Sequence, residues 1–111
     1  MATISNLYID QGTTYSAIIT LTNQDGSVMN LDGYTVKSQF RKSYQSSTAV
    51  SFVASVYNAA AGQVRLELAP ETTTNIKAGR YLYDIEVTSG TNEKLRVLEG
   101  IVVITPEITK I

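Results

Sequence analysis

Apolar and polar residues alternate with a period of two along most of the chain, which is the pattern of half-buried β-strands. The predicted inward positions of successive segments are Tyr15, Ala17, Ile19 and Leu21; Tyr34, Val36, Ser38 and Phe40; Val50, Phe52, Ala54 and Val56; Val64, Leu66 and Leu68; and Tyr81, Tyr83, Ile85 and Val87. A last strand is predicted over 93–105, with a bulge or bend expected at Gly100.

Turn signals separate these segments, and they favour short connections between strands. Asp25-Gly26 and Asp32-Gly33 predict tight turns, because Asp and Gly tolerate positive φ. Calcium loops are the less favoured interpretation, because both segments lack the required spacing and the distal acid. The segment "PETTTNIKAG" predicts a crossing loop with one helical turn. The whole pattern predicts an all-β, Ig-like antiparallel sandwich of about seven or eight strands. A small β-barrel is the alternative, since both architectures use the same strands.

Length, composition and charge narrow the function classes. The 111 residues predict one domain, 1–111, and 17% charged residues predict a surface coated by Thr and Ser. The net charge of −1 without a basic cluster argues against nucleic acid, and no apolar run is long enough for a membrane helix. Neither His nor Cys is present, so thiol nucleophiles, histidine bases and ordinary zinc sites are not expected. We expect a non-enzymatic protein with no cofactor and no metal.

One pair of acids could nevertheless carry chemistry. Asp84 and Glu86 share a face of a predicted strand, with Cα atoms roughly 6.5 to 7 Å apart. That separation suits a glycosidase carboxylate pair. However, no aromatic sugar platform shares the face, and Lys94 or Arg96 of the next strand could pair with these acids. We therefore interpret them as an ion-paired outer face.

The stretch "KAGRYLY" carries a fold signature. It aligns in part with D-x-G-x-Y-x-C, the pattern that opens strand F of immunoglobulin-type sandwiches. Tyr81 then takes the tyrosine-corner position, with its hydroxyl bonded to main chain in the preceding loop. Gly79 would supply a turn with positive φ. Tyr83 would replace the disulfide cysteine as a buried aromatic, and Lys77 stands where the pattern has an acid.

Several side chains are candidates for an interaction surface, because tyrosine is favoured at interfaces. Partial packing on neighbouring strands is the alternative for Tyr44 and Tyr57, and the tail 106–111 could either add a docking strand or tuck against the sandwich. The candidate set is Tyr44, Gln45, Tyr57, Asp84, Glu86, Ile108 and Ile111.

The order of the motifs resembles a known family. "LYIDQGTTYSAIITLTNQDGSVMNLDGYTVKSQFR", "GQVRLELAPETTTNIKAGRYLYDIEV" and "LRVLEGIVVITPEIT" are similar to small β-sandwich domains of tailed-phage virion proteins. That family includes the N-terminal domain of the baseplate upper protein of lactococcal siphophages and short virion proteins of myophages.

The resemblance implies a structural role in a virion, in a protein made in the host cytoplasm and present in several copies. Its partners would be other virion proteins. In the family this domain heads a longer protein, whereas this sequence ends soon after the last predicted strand, so we expect an adaptor or cement module of the tail, baseplate or neck. Capsid decoration and a receptor- or carbohydrate-binding module are the alternatives.

Overall fold

The chain forms two β-sheets that pack face to face. The computed structural model describes residues 3–4, 6–23, 25–43 and 49–106. The elements are β1 (Thr3–Ile4), β2 (Leu7–Asp10), β3 (Tyr15–Thr20), β4 (Thr35–Arg41), β5 (Val50–Ser51), β6 (Val53–Asn58), β7 (Gln63–Leu68), α1 (Pro70–Thr74), β8 (Gly79–Thr88) and β9 (Lys94–Thr105).

The sheet order identifies the fold class. The larger sheet runs β1-β9-β8-β4-β5, and β2 continues β1 along the same edge of β9. The smaller sheet runs β3-β7-β6. A sheet built around β4, β8 and β9 and faced by β3, β7 and β6 is the arrangement of immunoglobulin-type sandwiches, so the predicted all-β Ig-like class is confirmed. One difference is that β1 and β2 run parallel to β9, whereas we expected antiparallel pairing throughout.

The predicted strand through Phe52 is divided between the two sheets. Val50 and Ser51 pair with β4, and the chain then crosses so that Val53 begins pairing with β7. Phe52 lies at the crossing, where its N–H donates to the Ser38 carbonyl at 3.0 Å. Its ring is buried, with its centroid 5.2 Å from that of Phe40, so burial of this ring accompanies the change of sheet.

The core lies between the sheets and follows the predicted alternation. Its buried members include Phe40, Phe52, Val64, Leu66, Leu68, Tyr83, Ile85, Val87, Leu98, Val102 and Ile104. Tyr15, Ile19 and Tyr81 are half-buried and pack against that core. Each strand therefore leaves its other face to solvent, and those two outer faces are where contacts with other molecules can form.

The long β8–β9 hairpin contains one irregularity, and it is not at the predicted place. Gly100 pairs regularly with Tyr83, whereas the register shifts between Ile85 and Glu86 and leaves Val97 without an opposite residue. The bulge thus lies three positions before the glycine. It places Leu98 in the core and Arg96 opposite Glu86 on the outer face.

Two short segments complete the frame. Asp25-Gly26 closes a small hairpin in which the Asn23 N–H donates to the Ser27 carbonyl at 2.8 Å. Asp32-Gly33 makes a reverse turn, with the Tyr34 N–H donating to the Leu31 carbonyl at 2.9 Å, and leads directly into β4. The helical turn expected after β7 is α1, which begins at Pro70.

Candidate interaction surfaces

Tyr81 forms the corner that starts β8. Its hydroxyl donates to the Lys77 carbonyl at 2.6 Å, which is the geometry of a tyrosine corner. Gly79 has a φ of 141°, in the region that favours glycine. The Tyr81 ring packs edge-on against Phe40 at 5.3 Å, and Lys42 Nζ lies 4.9 Å from its centroid. The next tyrosine inward, Tyr83, is buried in the core.

The outer face of the larger sheet is charged, and Arg96 forms ion pairs on it. Arg96 Nε lies 3.2 Å from Asp84 Oδ2, and Arg96 Nη1 lies 3.7 Å from Glu99 Oε2. Burial raises the pKa of the Asp84 carboxyl above its ordinary value, and the charge of Glu86 adds to the rise while Arg96 opposes it. An open depression of about 420 Å³ lies over these side chains.

The outer face of the smaller sheet has a different character. We call it the smaller-sheet face, and its members are Ile18 on β3, Val53 and Tyr57 on β6, and Arg65 and Glu67 on β7. The exposed fractions are 46% for Ile18, 66% for Val53 and 52% for Tyr57. Three large apolar side chains therefore face solvent around one pair of charged residues.

Arg65 lies at the centre of the smaller-sheet face. It is opposite Ile18 on one side and Ser55 on the other, and its guanidinium carbon lies 4.8 Å from the Tyr57 ring centroid. Its Nη1 lies 3.9 Å from Glu67 Oε1, which is a long ion pair. Within the described part of the chain, the buried Nε of Arg65 has no hydrogen-bond acceptor. The guanidinium of Arg65 therefore lies against Tyr57 at the centre of this face.

The structure does not gather the predicted interaction residues into one surface. Tyr57 lies on the smaller-sheet face, whereas Asp84 and Glu86 lie on the outer face of the larger sheet, which points the opposite way. The remaining candidates, Tyr44, Gln45, Ile108 and Ile111, are outside the described residues, as is most of the tail 106–111.

Sequence reasoning missed the aliphatic half of the smaller-sheet face. Ile18 in "SAIIT" and Val53 in "SFVAS" occupy positions that the alternation assigns to the outside. An aliphatic residue at an outward position was the available signal, because such positions are usually polar. The stacking of Arg65 on Tyr57 had no local signal, since it depends on the register of β6 against β7.

Among residues 3–4, 6–23, 25–43 and 49–106, no group of three or more Asp or Glu side chains is arranged to hold a metal ion. In the same ranges, no helix has the length and apolar character needed to span a membrane.

Comparisons with known proteins give distant similarities of fold. No protein-family model matches the chain, and no curated protein matches it. An internalin-like protein of Listeria monocytogenes is similar in structure, with a TM-score of 0.46 and 15% identity over 96% of this chain and 28% of that one. AggA, the major subunit of aggregative adherence fimbriae type I from Escherichia coli, gives a TM-score of 0.45 and 11% identity over 90% of this chain and 89% of that one. The fold class itself rests on the sheet order, and at that level the chain is an Ig-like β-sandwich.

Proposed function

We propose that this chain is a non-enzymatic structural module of a tailed-phage virion, an adaptor or cement protein that acts through protein–protein contacts. The observation that carries the contact role is the smaller-sheet face, where Ile18, Val53 and Tyr57 are exposed together. The virion setting is supported by the motif resemblance in the sequence. The expected partners are other proteins of the particle, in the tail, baseplate or neck.

The physical argument for docking rests on what the exposed side chains would gain. Apolar surface that leaves water on association contributes about 25 cal/mol per Å², and isolated apolar side chains at the surface offer little of it. The smaller-sheet face instead groups Val53, Tyr57 and Ile18 around a stacked arginine. Tyr and Arg are the residue types enriched at the energetic centres of interfaces.

The two alternatives make different demands on the fold. A capsid decoration protein would use the same kind of contact at a different place in the particle. A carbohydrate-binding module would need solvent-facing aromatic rings clustered on one face. Among the described residues, the strongly exposed aromatic side chains are Tyr8 on β2 and Tyr57 on β6, which belong to different sheets. That arrangement favours a protein contact over a sugar platform.

The first experiment asks where the protein is. Virions purified from cells infected by the phage that encodes it are analysed by mass spectrometry and by labelled-antibody electron microscopy. We expect the intact chain in stoichiometric amounts at a defined position. Label on the tail, baseplate or neck supports the adaptor role, label on the head supports decoration, and absence of the protein from purified particles overturns the proposal.

The second experiment tests whether the smaller-sheet face is the docking surface. Val53→Asp places a charge at the most exposed apolar position of the smaller-sheet face, and Thr35→Asp places the same charge at an exposed position on the larger sheet. A phage lacking the gene is complemented with each variant, and incorporation is measured per particle. We expect at least a tenfold loss for Val53→Asp and wild-type incorporation for Thr35→Asp, with both variants fully folded at the temperature of the assay. Equal incorporation of both variants contradicts the assignment of this face.

A further inference from the structure

Strand β3 forms an outer edge of the smaller sheet. Among the described residues, its only strand partner is β7, in an unbroken register from Tyr15 opposite Leu68 to Thr20 opposite Gln63. The Leu21 N–H donates to the Gly62 carbonyl at 2.7 Å and continues that register. The N–H and C=O groups of successive residues in a strand point to opposite sides. Since the Leu21 N–H points to β7, the main-chain groups of Ile19, Ala17 and Tyr15 point to β7 as well. The N–H and C=O groups of Ser16, Ile18 and Thr20 therefore point away from the sheet.

This edge lacks the features that usually prevent pairing with another chain. Natural edges are blocked by short strands, prolines, lysines or bulges. In the described structure, β5 is only two residues long and β6 has a register shift beyond Val56. By contrast β3 has six regular residues, and the three that face the free edge are uncharged. It is the longest regular edge among the described strands.

We propose that two copies of this chain associate by antiparallel pairing of their β3 strands about a two-fold axis at Ile18. In that register Ile18 lies opposite Ile18 of the partner subunit, and Ser16 lies opposite Thr20 of the partner subunit. All three edge-facing residues of each copy then exchange both main-chain hydrogen bonds. A shift of two residues in either direction leaves one of them unpaired on each copy. The two smaller sheets become one continuous sheet.

The side chains suit a second copy as the occupant. The pairing covers Ile18, which is 46% exposed, with an identical aliphatic side chain, and it places a hydroxyl opposite a hydroxyl at Ser16 and Thr20. The nearest charged residues on this face, Arg65 and Glu67, are on β7. Arg65 of the two copies would be three strand spacings apart, about 14 Å, which exceeds the screening length of about 8 Å at physiological salt. The edge is therefore self-complementary and free of like-charge conflict.

The contact is small, so its strength depends on concentration. Strand-edge pairing buries less area than the roughly 1,200 Å² of stable complexes. We expect a weak dimer of the isolated protein that becomes effective when many copies are held close together. The pairing does not depend on the virion role, because Val53 and Tyr57 stay uncovered by it.

Association of the full chain is measured by sedimentation velocity from about 1 µM to about 1 mM, a range that spans weak affinities. Wild-type protein should shift from monomer to dimer with concentration. Ile18→Lys brings two like charges together at the axis and should weaken dimerisation at least tenfold. Ser55→Lys, on the same face but on β6, should dimerise as wild type does. A monomeric wild type, or equal dimerisation of both variants, overturns the proposal.

The register is tested by disulfide cross-linking. Since the chain has no cysteine of its own, an introduced cysteine can pair only with its copy in the partner subunit. Paired residues in such a ladder have Cα atoms about 5.5 Å apart, within the range that a disulfide spans. Ile18→Cys should form a disulfide-linked dimer under mild oxidation at concentrations where the wild type dimerises, whereas Ser55→Cys should dimerise without forming a disulfide cross-link. Equal cross-linking of both, or none at position 18, excludes this register. Loss of particle incorporation in Val53→Asp with unchanged dimerisation would separate this contact from the proposed docking face.

Discussion

Gly62 lies in the turn between β6 and β7, where it contacts the main chain of the segment that follows β3. We predict that its replacement by alanine is strongly destabilising. Its φ is 69°. An added Cβ would lie 2.6 Å from the Met29 carbonyl oxygen and 2.8 Å from the Leu21 carbonyl oxygen. Both oxygens are main-chain atoms, so the clash is relieved only by moving the backbone. The Leu21 N–H also donates to the Gly62 carbonyl at 2.7 Å, and that bond would move as well.

The magnitude follows from two separable costs. A positive φ costs an L-residue roughly 1–2 kcal/mol, partly offset by the lost flexibility of glycine in the unfolded chain. Crowding of a packed site adds about 1–3 kcal/mol. We therefore expect Gly62→Ala to lower the free energy of unfolding by about 2–4 kcal/mol. Gly33→Ala is the matched control, because Gly33 has a φ of 81° and nothing within 4 Å of the added Cβ.

Urea denaturation monitored by far-UV circular dichroism measures both variants against the wild type. Gly33→Ala should lose about 1 kcal/mol or less, since it incurs only the conformational cost. The difference between the two variants isolates the close approach of Gly62 to the two carbonyl oxygens. If Gly62→Ala is no more destabilising than Gly33→Ala, the crowding argument is refuted.

Three further predictions concern polar groups. Tyr81→Phe removes the hydrogen bond to the Lys77 carbonyl while keeping the ring, and should lower the free energy of unfolding by about 1 kcal/mol in a urea titration. Its control is Tyr8→Phe, at an exposed position, which should change that free energy by less than about 0.5 kcal/mol. Thr73→Val removes a buried hydroxyl that donates at 2.7 Å to main chain in the β2–β3 loop, and should lower the melting temperature through a loss of about 1–3 kcal/mol. The raised pKa of Asp84 means that the folded state binds a proton more readily than the unfolded state, so this group's contribution to stability falls as pH rises. The melting temperature of Asp84→Asn minus that of the wild type should therefore be larger at about pH 7 than at about pH 3, and an equal difference at both would contradict the raised pKa.

The inward faces of the strands could be read from the sequence because a period of two is a local property. Phe40, Leu66 and Ile85 are buried where the alternation puts them. The turn and corner before β8 were also local, since Gly79 and Tyr81 are separated by only one residue in a short motif.

Features that depend on strand pairing could not be predicted. The alternation around Phe52 continues without interruption although the chain changes sheets there, because the pattern records burial and not the neighbouring strand. The bulge at Val97 similarly depends on the register of β9 against β8. The alternation assigns Ile18 to the outside, and it is exposed, but only the strand order shows that it lies on an edge strand.

The two outer faces differ in what covering them would cost, and that difference favours the smaller sheet as the contact surface. On the larger sheet, Arg96 pairs with Asp84 and Glu99, and a partner there would have to remove water from all three charges. Asp84 already has a raised pKa from burial, and further desolvation would disfavour its charged form more. On the smaller sheet, covering Val53 and Tyr57 removes apolar surface from water. Desolvation of charge therefore weighs more heavily against docking on the larger sheet, whereas the smaller sheet offers apolar surface around the ion pair of Arg65 and Glu67.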